Sequence, residues 1–104
     1  MKAIIRIDEL LQDWRPPFRK ERKTKELVVK EGEAFDEVYG NKVFRLVSLY
    51  GNTAKIEFTK DFVVKEGNLQ DGFLLLRVGE KAKLSFLWGN NGITKTLHLR
   101  AIEL

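Results

Sequence analysis

From about residue 25 to the C-terminus, apolar and polar residues alternate in short runs, the period-two pattern of antiparallel strands with one buried face. In TAKIEF, Ala54, Ile56 and Phe58 share one face, and Thr53, Lys55 and Glu57 the other. In KAKLSFLW, Ala82, Leu84, Phe86 and Trp88 stand in phase opposite Lys81, Lys83, Ser85 and Leu87. That phase predicts a Trp88 mostly buried at the edge of a core. KVFRLVSLY and ITKTLHLRAI are apolar on both faces in places, as central or covered strands are. Between the runs fall Glu31-Gly32, Gly40-Asn41, Gly51-Asn52, Glu66-Gly67-Asn68, Asp71-Gly72, Gly79-Glu80 and Gly89-Asn90-Asn91-Gly92. Gly and Asn accept the positive φ that tight hairpin turns require, so each reads as a turn. The four residues after Trp88 are more than the tightest hairpin needs.

The first 24 residues follow a different pattern. MKAIIRI reads as an edge strand. DELLQDW offers Asp8 as a helix N-cap, with Leu10, Leu11 and Trp14 at helical spacing before Pro16-Pro17 stops it. RPPFRKERKTK reads as an exposed basic connector. The expected organisation is thus an N-terminal edge strand, one short helix and a basic arm over 1–24, followed by a β-sandwich domain over 25–104.

Within that domain the pattern is duplicated. Leu27-Val-Val-Lys-Glu-Gly-Glu aligns with Leu74-Leu-Leu-Arg-Val-Gly-Glu, and Tyr39-Gly40-Asn41 with Trp88-Gly89-Asn90 in the same order. Each half reads as strand, Gly-Glu turn, strand, aromatic-Gly-Asn turn, long strand. The segments LVVKEGEAF, RLVSLYGNTAKIEF and LLLRVGEKAKLSF resemble the immunoglobulin-like β-sandwich modules of bacterial and archaeal surface proteins. The resemblance implies a Greek-key-like sandwich used for spacing, adhesion or binding, and it brings no catalytic residues. The expected fold is all-β: an immunoglobulin-like two-sheet antiparallel β-sandwich of seven to nine strands.

Composition narrows the chemistry. With 43% hydrophobic and 33% charged residues the 104-residue chain is globular and large enough for one core. Having no cysteine, it has no disulfide, thiolate metal site or thiol nucleophile. No signal-peptide core or membrane-length apolar run is visible, so the chain as given reads as cytoplasmic, or as a piece of a surface protein, without membrane insertion. The net charge of +4 is concentrated: Arg15, Arg19, Lys20, Arg22, Lys23 and Lys25 lie within eleven residues, with Glu21 their only acidic neighbour. Together with Trp14 and Phe18 they form the candidate site for an anionic partner, since cations with interleaved aromatics neutralise phosphates and stack bases. A solvated connector is the plainer reading of the same run.

Enzymatic readings lack parts. The single histidine, His98, and two serines, Ser48 and Ser85, would have to converge for a triad; an enzymatic role requires His98 beside a serine or carboxylate in a cleft. Glu33, Asp36 and Glu37 lack calcium-loop spacing and read as a solvated acidic edge, so neither metal nor cofactor is expected. Trp14, Tyr39, Tyr50 and Trp88 could stack on sugar rings if exposed, although rings flanking turns are ordinary packing. The expected function is a non-enzymatic interaction module with a protein partner; the alternative is a nucleic-acid-binding accessory protein acting through residues 14–25.

Overall fold

The computed structural model describes all 104 residues, Met1 to Leu104. The chain is all-β, with strands β1 (Lys2–Asp13), β2 (Lys20–Lys30), β3 (Ala34–Val38), β4 (Asn41–Tyr50), β5 (Thr53–Phe58), β6 (Val63–Glu66), β7 (Asn68–Gln70), β8 (Phe73–Arg77), β9 (Lys81–Trp88) and β10 (Asn91–Glu103). They form two antiparallel five-stranded sheets packed together, sheet I in the order β2-β1-β10-β9-β6 and sheet II in the order β3-β4-β5-β8-β7. Ala3, Ile5, Ile7, Leu97 and Leu99 of sheet I and Leu46, Ile56, Leu74 and Leu76 of sheet II are almost completely excluded from solvent and form the core between them. The strands are ten where seven to nine were expected, partly because one bent strand counts as two. β6 lies in sheet I and β7 in sheet II, with only Gly67 between them. Gly67 has φ 145°, and a Cβ there would meet Leu74 Cδ1 at 3.0 Å and the Ala82 Cβ at 3.2 Å. A strand turning the corner of a sandwich needs a residue without a side chain at this point.

The N-terminal expectations require correction. No helix forms over DELLQDW: β1 runs unbroken to Asp13 and pairs on both sides, Asp8 opposite Thr24 and Thr96, Gln12 opposite Lys20 and Gly92. Two flanking strands offer its backbone groups a ladder on each side, and that tertiary pairing overrides the local spacing of Leu10, Leu11 and Trp14. For the same reason β1 is an interior strand and not an edge. The boundary expected after residue 24 falls inside β2, and residues 1–24 share sheet I with the rest of the chain.

The turns follow the expected chemistry. Tyr39-Gly40 and Asp71-Gly72 have positive φ at both positions, while Gly51-Asn52 and Gly89-Asn90 have it only at glycine. These are the two dihedral patterns that match the twist of paired strands. In WGNNGI, Trp88 pairs directly with Asn91, so the hairpin is a two-residue turn and the second Asn-Gly already belongs to β10. Trp88 is half-buried, less than expected, meeting Phe86 and Tyr39 edge to face at centroid distances of 5.1 and 5.4 Å.

The duplicated sequence pattern has a matching geometry. Both Gly-Glu turns carry the chain from one sheet to the other, β2 to β3 and β8 to β9. Each is strapped by one buried leucine. Gly32 N–H donates to the Leu46 carbonyl (2.6 Å) and Leu46 N–H to that of Glu33 (3.0 Å); Gly79 N–H donates to Leu99 (2.8 Å) and Leu99 N–H to Glu80 (3.3 Å). One residue after each leucine, Val47 and Arg100, is skipped in the ladder, so both long strands carry a bulge at the equivalent position. Opposite the two leucines stand Ile56 and Ile5. The order β3-β4-β5-β8 therefore corresponds to β9-β10-β1-β2, an approximate twofold relation that exchanges the sheets.

Gly67→Ala should lower unfolding stability by about 3 kcal/mol in urea titrations, combining backbone strain with overpacking. Gly32→Ala, which has positive φ but nothing within 4 Å of an added Cβ, should cost only about 1 kcal/mol. Equal costs would show that the Gly67 corner is not sterically tight.

Candidate functional site

Alternation along β1 and β10 fixes what lies outside sheet I. Because Ile5, Ile7, Leu97 and Leu99 face the core, Asp8, Leu10, Thr94, Thr96 and His98 face outward. They form the floor of a groove of about 410 Å³. Its walls are cationic: Arg22 on β2, and Lys81 and Lys83 on β9, with Lys23 at the border of the groove. At its centre Asp8 accepts hydrogen bonds from the Thr24 hydroxyl (2.8 Å) and Arg6 Nε (3.2 Å), and pairs with His98 Nε2 at 2.9 Å. Desolvation would raise its carboxyl, but Thr24, His98 and Arg6 together hold it below the ordinary range.

His98 thus does sit beside a carboxylate in a cleft. The order of the groups is nevertheless wrong for hydroxyl activation: the carboxylate stands between imidazole and hydroxyl, so the Thr24 hydroxyl donates its hydrogen bond to Asp8 and not to the ring. Ser85 is engaged with Thr94 at 3.1 Å.

The residues singled out in the basic segment are separated by the fold. Arg22 faces the groove and Lys23 borders it. Arg15 pairs with Asp13, and Arg19, Lys20 and Phe18 are exposed, Phe18 to 63%. Trp14, 47% exposed, is anchored where its N–H donates to the Asn90 carbonyl (2.8 Å). Its ring lies over Gly92, where a Cβ would be 2.6 Å from Trp14 Cη2 and 2.8 Å from Leu87 Cδ2. Lys25 turns away from the groove and pairs with Asp36. Sequence reasoning missed Lys81, Lys83, Thr94, Thr96 and His98 as members of this surface. Their outward phase was readable, but the adjacency of β9 and β10 to β1 and β2 was not.

A second polar cluster lies inside. Lys95, at 0% exposure, projects inward between Ile93 and Leu97 and meets Glu9, its cross-strand neighbour, and Asp36 Oδ2 at 2.8 Å; its ammonium also donates to the Glu37 carbonyl at 3.3 Å. Asp36 arrives from sheet II in a left-handed conformation, φ 61°, and its carboxylate is met by the ammonium groups of Lys25 and Lys95 and by no other donor. Burial would raise the Asp36 carboxyl, but the two lysines outweigh it and hold it low. The expected acidic edge is therefore corrected: Asp36 is internal, and Glu37 points out to pair with Lys42 at 3.2 Å. Of the rings considered for stacking, Tyr39 is 77% and Tyr50 55% exposed. The chain matches no protein-family model, and no curated protein or solved structure is significantly similar to it.

Lys95→Met should cost about 3–5 kcal/mol, because it leaves two carboxylates facing the interior without their shared cation. The low Asp36 value has a definite sign. Its stabilisation is complete above the ordinary carboxylate value of 3.8 and is lost as pH falls through the lower folded value. Asp36→Asn should therefore be less stable than wild type at neutral pH yet lose less stability on acidification below that point, as read by thermal unfolding at stepped pH.

Proposed function

We propose that this protein is a non-enzymatic interaction module that binds an anionic macromolecular partner on the outer face of sheet I. One observation carries the reading: cations on two non-adjacent strands, Arg22 on one side and Lys81 and Lys83 on the other, with Lys23 at the border, line a single groove floored by hydroxyls and His98. The acids in that groove are already engaged, Asp8 by Thr24, Arg6 and His98, and Glu9 by Lys95. The cations are left as the groove's unspent charge, and convergent charge attracts and orients an oppositely charged partner. An acidic protein segment and a nucleic acid both satisfy this description. Two packed antiparallel sheets make a sandwich-like scaffold whose exposed faces and turns are available as contact surfaces. No helix is long and apolar enough to cross a membrane.

The test is amide chemical-shift mapping with three separate polyanions: polyglutamate, heparin and an oligonucleotide. At least one should perturb the outward residues of β1, β2, β9 and β10, Thr94, Thr96 and His98 among them, and charge reversal at Lys81 and Lys83 should abolish the effect. Shifts confined to sheet II, or none with any polyanion, would refute the proposal.

A further inference from the structure

Resting on that reading, the geometry points to a particular occupant: we infer that the groove takes single-stranded nucleic acid, with its phosphates between the two cation walls and a base stacked on Trp14. Three features distinguish this from a generic acidic ligand. The first is width. The cation-bearing strands β2 and β9 flank β1 and β10, so the two walls stand three strand spacings, about 14 Å, apart. That admits one extended strand and is too narrow to seat a duplex.

The second is the aromatic at the end of the groove. Leu10 and Thr94 pair at its border, and Gln12 and Gly92 pair two residues further on, about 7 Å along the strands. There the Trp14 ring lies over the bare backbone of Gly92 beside Leu87. Gly92 leaves room for no side chain, so the indole is seated on the sheet surface. Its backbone is held by Asn90, and Asp13 N–H donates to the Arg19 carbonyl (2.9 Å) across the base of the loop. A ring fixed this way and still half exposed is a preorganised stacking platform of the kind that takes the flat face of a base. The third is the hydroxyl floor. Thr24 is occupied by Asp8, but the Thr96 hydroxyl faces the groove among the cations, where it can donate to a phosphate oxygen.

The experiment uses fluorescence anisotropy with a labelled oligothymidylate of roughly 12 nucleotides, a duplex of the same length and labelled polyglutamate. The single strand should bind best, and neutralising about four phosphates should weaken it about fifty-fold between about 50 and about 200 mM salt. Trp14→Ala should weaken single-strand binding about tenfold, Trp14→Phe should restore most of it, and neither should change thermal stability by more than a few degrees. In a Trp88→Phe background, oligothymidylate should quench the remaining indole fluorescence. Replacing Arg22, Lys23, Lys81 and Lys83 together by Ala should remove binding and its salt dependence. Polyglutamate binding without oligonucleotide binding would overturn this inference while leaving the interaction-module reading standing. Oligonucleotide binding that is indifferent to Trp14→Ala and gives no quenching would overturn the stacking assignment. Preference for the duplex would overturn the single-strand assignment; silence with all three probes would overturn this inference, and heparin silent as well would remove both readings.

Discussion

The double strap between each Gly-Glu turn and a buried leucine holds the architecture together. A turn that leaves one sheet and enters the other lies outside both ladders, and the buried backbone groups of the strand residue facing it would be costly to leave without partners. Leu46 and Leu99 meet this cost identically, each accepting from the turn glycine and donating to the residue after it. The bulge that follows each leucine is the geometric counterpart, since a strand diverted to hold a turn falls out of register with its neighbour by one residue. From these two points the sheets acquire their spacing, and Ile5 and Ile56 come to lie opposite the two leucines.

The approximate twofold relation also shows where the halves diverge. β1, β2 and β10 have 12, 11 and 13 residues, while no strand of sheet II exceeds 10. The extra length of sheet I carries the polar features. Lys95 and Glu9 replace apolar residues on the inner face, where Lys95 reaches Asp36 across the sheets, and outside lies the groove between β2 and β9. A buried lysine with its carboxylates adds little net stability over apolar packing but penalises any register that separates them. The cluster therefore fits a role in aligning β1, β3 and β10, and the groove on the other face of β1 and β10 inherits the alignment.

The strands, their inward faces and the turns were legible from residue 25 onward, because period-two alternation and positive-φ residues are local signals. The duplication was legible too, down to its Gly-Glu and aromatic-Gly-Asn punctuation. An extra sign of it went unread: Ala3 and Ile5 in β1 correspond to Ala54 and Ile56 in β5. The N-terminal segment was misread because DELLQDW carries helical spacing and a cap, and nothing within it announces two strands arriving on either side. The basic run was recognised as charge, but only Arg22 and Lys23 of it reach the groove, and their counterparts Lys81 and Lys83 lie some sixty residues away in a strand that reads as ordinary half-buried β.

Sequence by itself determined the class of the fold, because alternation decides which side chains leave water and turn residues decide where the chain reverses. It also determined that any chemistry must be done without thiols and with one histidine. Only the tertiary structure decided that β1 is central, that Lys95 and Asp36 meet in the interior, and that cations from β2 and β9 share one groove. Each of these depends on which strands become neighbours, and that choice rests on hydrogen bonding and burial between residues as far apart as Glu9 and Lys95, which no local pattern records.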